Sequence, residues 1–329
     1  MTSFGARSIA LALALGGVGA CHPTRGARQE SSAELQRVRQ VLCADIGESN
    51  CAAACAGVRG EREHADCLLR YRFGTDERAL GLARALASHG TLIGVETRGE
   101  IEGYRGETVE LIPALPLGDH AHHLDWIRGS LVHYDGFLRS IAVHATKPIA
   151  FAAKPDGFVF FRTNEGTYPS AFCAGGFIAY NLDGPLHAER RTMHETLFHE
   201  LFHLSDQRAG DWSEDALEEI FDAIVDRCDD DHACYEPYAP HESLVEDGTF
   251  YAFDARTRSV REYAAEIALT YFLEHEALFA GTPRPGPPFK CRAPENAVAW
   301  RRLVDTFFGG VDLTRRCPPV AGHHMAKSL

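Results

Sequence analysis

The stretch HETLFHELFHLSD, residues 194–206, places histidines and glutamates on an otherwise apolar background. It contains His199-Glu200-Leu201-Phe202-His203, the pattern HExxH. On a helix, residues i and i+4 lie on one face, so both imidazoles could reach one metal ion. The apolar flanks predict that the helix is buried, where an unpaired charge is costly. The stretch alone allows two interpretations, a metal site or an amphipathic helix with incidental histidines.

The first twenty residues predict an exported protein. Arg7 precedes an apolar run that ends in small residues, which is the organisation of a signal peptide and is too short for a membrane span. VGAC, residues 18–21, resembles the bacterial lipobox. That resemblance implies a lipid on Cys21, a tether over residues 21–31, and anchoring to the outer membrane or cell surface. The alternative is an ordinary secretory signal followed by an unrelated cysteine.

The composition narrows the classes of partner. The chain has 329 residues, enough for one large domain or two. Its 33 basic and 46 acidic residues give a net charge of −13, which argues against a nucleic-acid partner because phosphate binding needs basic patches. The acidic balance indicates solubility and says nothing of substrate preference.

Ten cysteines are consistent with an exported, disulfide-bonded protein. With Cys21 set aside, we expect disulfides within an early cluster and within two later pairs, and a single free thiol at Cys173. The early cluster could instead be a four-cysteine zinc site, although it lacks paired CxxC motifs. Sequence leaves three pairings open for that cluster. The cysteines concerned are Cys43, Cys51, Cys55 and Cys67, then Cys228 with Cys234, and Cys291 with Cys317.

Hydrophobic periodicity predicts an α+β fold, with mixed helices and strands followed by a mainly helical part. Residues 32–75 read as a disulfide-stapled helical hairpin, and residues 76–329 as the main domain. The predicted helices are 34–45, 61–73, 77–90, 124–144, 188–209, 213–228, 261–280 and 296–308. The predicted strands are 91–98, 107–115, 148–162, which turns at residues 155–157, and 171–181.

With HExxH on a helix that follows a strand, residues 90–280 resemble the zincin metallopeptidases. The resemblance implies a mixed sheet that leads through an edge strand, residues 171–181, into the active-site helix. No histidine follows at the spacing of metzincins. REYAAEIALTYF, residues 261–272, resembles the E-x-x-A-E helix of gluzincins of the lethal-factor type. That resemblance implies Glu262 as third ligand and Glu266 as a carboxylate that orients a ligand histidine.

A second carboxylate pair competes for the third position. Glu218 and Asp222 are one helical turn apart and resemble the pair of thermolysin-like enzymes, whereas Glu262 is unusually far from His203 along the chain. The acidic density around Glu218 is typical of a solvated face, and the apolar helix around Glu262 predicts burial. Glu262 is therefore favoured, and Glu218 stays open.

The resemblance implies a zinc endopeptidase with one Zn²⁺ per chain and a protein or peptide substrate. Glu200 would be the general base, and Tyr251 would donate to the oxyanion. Two alternatives remain. One is a zincin-fold lipoprotein that binds metal and peptide without hydrolysis. The other is a disulfide-rich surface protein with an accidental HExxH.

Overall fold

The computed structural model describes residues 35–103, 106–164, 168–229, 231–240, 250–254 and 258–318. The predicted signal peptide, the tether and Cys21 lie outside the described residues. None of the described helices combines the length and the apolar character that a bilayer span requires.

The regular secondary structure of the described chain consists of helices and one mixed sheet. The helices are α1 (35–42), α2 (Glu48–Ala54), α3 (Glu61–Phe73), α4 (Glu77–Ser88), α5 (Ala121–Ala142), α6 (Arg190–Arg208), α7 (Trp212–Cys228), α8 (His232–Tyr235), α9 (Val260–Phe279) and α10 (Pro294–Phe307). The strands are β1 (Leu92–Val95), β2 (Gly99–Glu102), β3 (Thr108–Pro113), β4 (Gly157–Arg162), β5 (Ala171–Ala174) and β6 (Phe177–Asn181). The predicted α+β class is confirmed.

The sheet is built around β4. Its strand order is β2-β3-β4-β6-β5, and β1 also pairs with β4. β4 runs parallel to β1 and β6 and antiparallel to β3, so the sheet is mixed. β4 is buried along almost its whole length, as its run of valine and phenylalanine predicts.

Residues 171–181, expected as one edge strand, form a hairpin instead. Gly175 and Gly176 have φ values of 57° and 91°, a region that glycine enters at little cost, and they turn the chain between β5 and β6. Only β5 lies at the edge, because β6 is paired on both sides. The strand expected over residues 148–162 is also shorter and begins at Gly157.

The described chain divides into two compact units. The first comprises the residues up to 131 together with 154–197, and it contains the whole sheet. The predicted hairpin belongs to this unit, since Val41 of α1 packs against sheet residues that include Val159 and Phe161. A Cβ on Gly94 of β1 would lie 2.2 Å from the Val41 carbonyl oxygen, so this close approach requires glycine.

The second unit, 132–153 with the residues from 198 onward, is helical and is organised around α9. Phe198 of α6 stacks on Phe272 of α9 with ring centroids 4.3 Å apart. Phe202 of α6 meets Phe307 of α10 edge to face at 5.0 Å. α9 also packs along α7. Aromatic contacts therefore hold α6 and α9 side by side.

Four disulfides join Cys43 to Cys51, Cys55 to Cys67, Cys228 to Cys234, and Cys291 to Cys317. The expected later pairs are confirmed, and the early cluster forms two disulfides, which leaves no thiolates there for a zinc site. Cys173 on β5 is half-buried and is not disulfide-bonded. Four disulfides indicate an oxidising compartment outside the cytoplasm.

Candidate metal centre

α6 carries the HExxH motif on its partly open face. Leu197, Phe198, Leu201 and Phe202 are at most 2% exposed, so the apolar residues anchor the helix. The side chains of His199 and His203 keep about 14% exposure each. The two imidazoles therefore lie on the side of α6 from which solvent and small ligands reach the helix.

The first turn of α9 presents Glu262. Ser259 caps this helix, and its hydroxyl accepts a hydrogen bond from the Glu262 N–H at 3.4 Å. In such an S-x-x-E sequence the glutamate commonly reaches back to the N–H of the capping residue. Here the Ser259 N–H is donated to the Ala252 carbonyl at 3.3 Å. The Glu262 carboxylate is therefore free to face the histidines, in a helical turn that favours negative charge.

Three potential ligand atoms converge in the second unit. Glu262 Oε2 is 2.9 Å from His199 Nε2 and 3.4 Å from His203 Nε2, and the two Nε2 atoms are 3.0 Å apart. In a tetrahedral zinc site with ligand bonds of about 2.0–2.1 Å, ligand atoms are about 3.3 Å from each other. Two imidazoles and one carboxylate are also a donor set that zinc accepts. The two histidines and Glu262 therefore fit a zinc ion.

The electrostatics of the cluster are those of an ion pair. Burial lowers the pKa of the His203 imidazole, but the neighbouring Glu262 carboxylate outweighs burial and raises it to about 9. Burial raises the pKa of Glu262, yet the two imidazoles hold it well below its usual range. Glu262 is therefore ionised at neutral pH, the form that binds a cation, whereas the His203 imidazole would release its proton on binding one.

Two further predicted residues lie nearby and are buried. Glu200 is 7% exposed, and its negative charge acts on His203. Glu266 is 2% exposed, and its Oε2 has no hydrogen-bond partner among the described residues. Burial, and then the charge of Glu262, raises the pKa of Glu266 well above its usual value. A hydrogen bond from a ligand histidine to Glu266 stays a prediction.

Tyr251 begins the 3₁₀ turn Tyr251–Phe253, which packs against α9. Phe253 of the same turn stacks on Phe221 with ring centroids 5.4 Å apart. Tyr251 itself is half-buried. The turn is therefore anchored beside the helix of Glu262, and the role of the tyrosine hydroxyl stays a prediction.

Glu218 and Asp222 do not join the cluster. Both are exposed on α7, whose buried stripe includes Leu217, Phe221 and Ile224. Among the described residues, Glu262 is the carboxylate that groups with His199 and His203 within 4.8 Å. The geometry favours Glu262 as the third ligand.

Two supporting residues escaped the sequence analysis, although each has a sequence signal. Ser259 and Glu262 form an S-x-x-E pattern before an apolar run, which is typical of a helix start. Asp206 follows His199 by seven residues, so it lies on the same face of α6. Its side chain is buried, at 2% exposure.

Comparison with protein-family models, with curated proteins and with solved structures finds no significant match to this chain.

Proposed function

We propose that the protein is an extracytoplasmic zinc-dependent endopeptidase of gluzincin type. His199, His203 and Glu262 would hold one Zn²⁺. The observation that carries the proposal is the convergence of two HExxH imidazoles and one carboxylate from α9 at separations of 2.9–3.4 Å. An accidental motif would leave the approach of Glu262 to both histidines to ion pairing alone.

The remaining residues would perform the proton transfers. Zinc in such a site supplies Lewis acidity toward a carbonyl group and activates water. Glu200 follows His199 directly and is buried, so its carboxylate would hold the attacking water and take its proton. It would then pass that proton to the leaving amine. Tyr251 would donate a hydrogen bond to the oxyanion that develops on the substrate.

The substrate and location form part of the same proposal. Among the described residues, β5 is the last strand at its end of the sheet, and an extended peptide could add to such a strand through its backbone. We propose that a lipid on Cys21, within VGAC, anchors the mature protein to a bacterial membrane. The four disulfides support this location because they need an oxidising compartment.

Hydrolysis of a mixed peptide library by the chain lacking residues 1–21 tests the activity. We expect cleavage that a chelator abolishes and that added zinc restores. Glu200→Gln keeps the shape but loses the base, so it should bind zinc normally and cleave about 10²- to 10⁴-fold more slowly.

Three other results distinguish the alternatives. Bound zinc without any cleavage would indicate a binding protein. A metal-free protein would indicate an accidental motif. Equal cleavage by Glu200→Gln and the unsubstituted chain would contradict the assigned base.

A further inference from the structure

Asp206 extends the row of histidines on α6 by one turn. His199, His203 and Asp206 follow each other at i, i+4 and i+7, which places them on one face of the helix. The negative charge of Asp206 also acts on the imidazole of His203. A buried carboxylate is costly unless it is hydrogen-bonded, so its partners indicate its role.

The partners of Asp206 are at the start of α7. Its Oδ1 accepts a hydrogen bond from the Ser213 N–H at 2.8 Å, and its Oδ2 accepts one from the Ser213 hydroxyl at 2.6 Å. Its own carbonyl accepts the N–H of Asp211, the residue before α7, at 3.0 Å. Asp206 therefore fixes the corner through which the chain passes from α6 to α7.

The same corner is tied to α9. Arg261, which precedes Glu262 in the chain, lies 2.8 Å from the Glu214 carboxylate and 3.3 Å from that of Asp211. α7 also packs along α9. The first turn of α7 is thus connected to α6 through Asp206 and to α9 through Arg261, and these two helices carry the candidate ligands.

We propose that Asp206 is a positioning residue of the metal centre: by holding the start of α7, it keeps Glu262 at ligand distance from His199 and His203. This inference rests on the proposed metal site and deepens it. Asp206 does not touch the metal itself. Its loss should loosen the third ligand, and metal affinity should fall while the apolar packing of α6 and α9 remains.

Zinc affinity of purified variants tests the inference, measured by competition with a chromogenic chelator. Asp206→Asn keeps one acceptor for Ser213 but loses the second and the charge. We expect about 10- to 100-fold weaker zinc binding, as for other residues that support ligands. Ser213→Ala should shift affinity in the same direction by less. The matched control is Asp222→Asn, an exposed acid on α7 that should leave affinity unchanged.

A second measurement separates positioning from simple stability. The visible absorption of bound Co²⁺ reports ligand geometry, and we expect Asp206→Asn to alter it. A lower Tm with unchanged zinc affinity and an unchanged cobalt spectrum would overturn the inference and leave Asp206 as a structural corner residue. If Asp206→Asn does not fold, the zinc affinity of Ser213→Ala is the test. An affinity equal to that of the wild type would also overturn the inference.

The wild-type chain separates this inference from the proposed function. Zinc binding that is weakened in Asp206→Asn, without any peptide cleavage, would uphold the inference and remove the endopeptidase. A wild-type chain that binds no zinc would overturn both.

Discussion

At the scale of residues, burial rather than spacing distinguishes Glu262 from Glu218 as a candidate metal ligand. Glu262 and Glu218 each have a second acid one turn further along a helix, at Glu266 and Asp222. Glu218 and Asp222 face solvent, whereas Glu266 is buried and Glu262 approaches two imidazoles. A buried acid needs a cation, a proton or hydrogen bonds to offset its desolvation. The chain gives Glu262 the imidazoles and leaves one Glu266 oxygen without a hydrogen-bond partner among the described residues.

Replacement of Glu266 tests whether that unpaired carboxylate supports the metal. Glu266→Ala removes a buried carboxyl group one turn from Glu262, and we expect zinc affinity to fall by about 10- to 100-fold without loss of the site. Chelator competition measures it, and Glu219→Ala on the exposed face of α7 is the control. Equal affinities in both variants would show that Glu266 has no part in metal binding.

The histidine pair was predictable and the corner at Asp206 was not, for a physical reason. His199 and His203 meet because of helical geometry alone, which the sequence contains. The bonds of Asp206 to Ser213 depend on a tight turn in which Gly210 and Asp211 both have positive φ, at 80° and 57°. Aspartate is among the non-glycine residues that adopt this conformation most often, but it does so rarely enough that the sequence alone does not predict it at Asp211.

At the scale of elements, α9 has a second task beyond presenting Glu262. The Tyr271 hydroxyl donates to the Val311 carbonyl at 2.8 Å. His275 Nε2 accepts the Leu313 N–H at 3.1 Å, while Nδ1 lies 2.8 Å from the Tyr271 carbonyl and donates to it. α9 therefore holds the segment that follows α10, and His275 can do so only as a neutral imidazole with a free lone pair.

His275 makes stability depend on pH. Its pKa is lowered to about 4. Burial is the main cause and Lys290 adds to it, while the neighbouring Asp312 carboxylate acts in the opposite direction. In the unfolded chain the pKa is near 6.5. Between these values the unfolded state binds more protons, so stability falls as pH falls from about 6.5 to about 4. The full loss would be about 3 kcal/mol.

Urea unfolding at pH 7 and pH 4.5 measures this loss. His275→Gln cannot titrate, so the gap in unfolding free energy between wild type and variant should narrow at pH 4.5. A gap that stays constant with pH would contradict the assignment to His275.

Helices were predicted more faithfully than strands. A 3.6-residue period identifies α7 and α10 because each has an apolar stripe, whereas α6 and α9 are buried on more than one side. The β5–β6 hairpin was predicted as one strand. Two glycines interrupt an otherwise apolar run there, and glycine can lie within a strand or form a turn. β2, with the sequence GEIE, is short and polar, and it forms because β3 pairs with it.

At the scale of the whole molecule, the described chain is organised by its disulfides and by its division into two compact units. The hairpin of residues 35–75 shares its unit with the sheet. The sequence left open whether the hairpin is a spacer, an inhibitory segment or part of the main domain, because cysteine spacing does not show the packing of Val41 on the sheet. Cysteine order along the chain did predict the pairs Cys228–Cys234 and Cys291–Cys317, since the first brackets a short acidic loop and the second brackets the last helix.

The thiol content of the mature chain follows from this pairing. Without residues 1–21, under denaturing and non-reducing conditions, one thiol per chain should react, and it should be Cys173. Alkylation followed by peptide mass spectrometry identifies the modified residue. Reduction beforehand should raise the count to nine, which is the control. Three or more reactive thiols without reduction would contradict the disulfide assignment.

The most direct test of the metal centre is the zinc content of the purified chain, by elemental mass spectrometry, beside Glu262→Ala and Glu218→Ala. Both variants lose one carboxylate, but of the two only Glu262 lies within 4.8 Å of both histidines. We predict one zinc per chain in the wild type and in Glu218→Ala, and none retained after dialysis in Glu262→Ala. A wild type free of metal, or a site emptied by Glu218→Ala and kept by Glu262→Ala, would contradict the account.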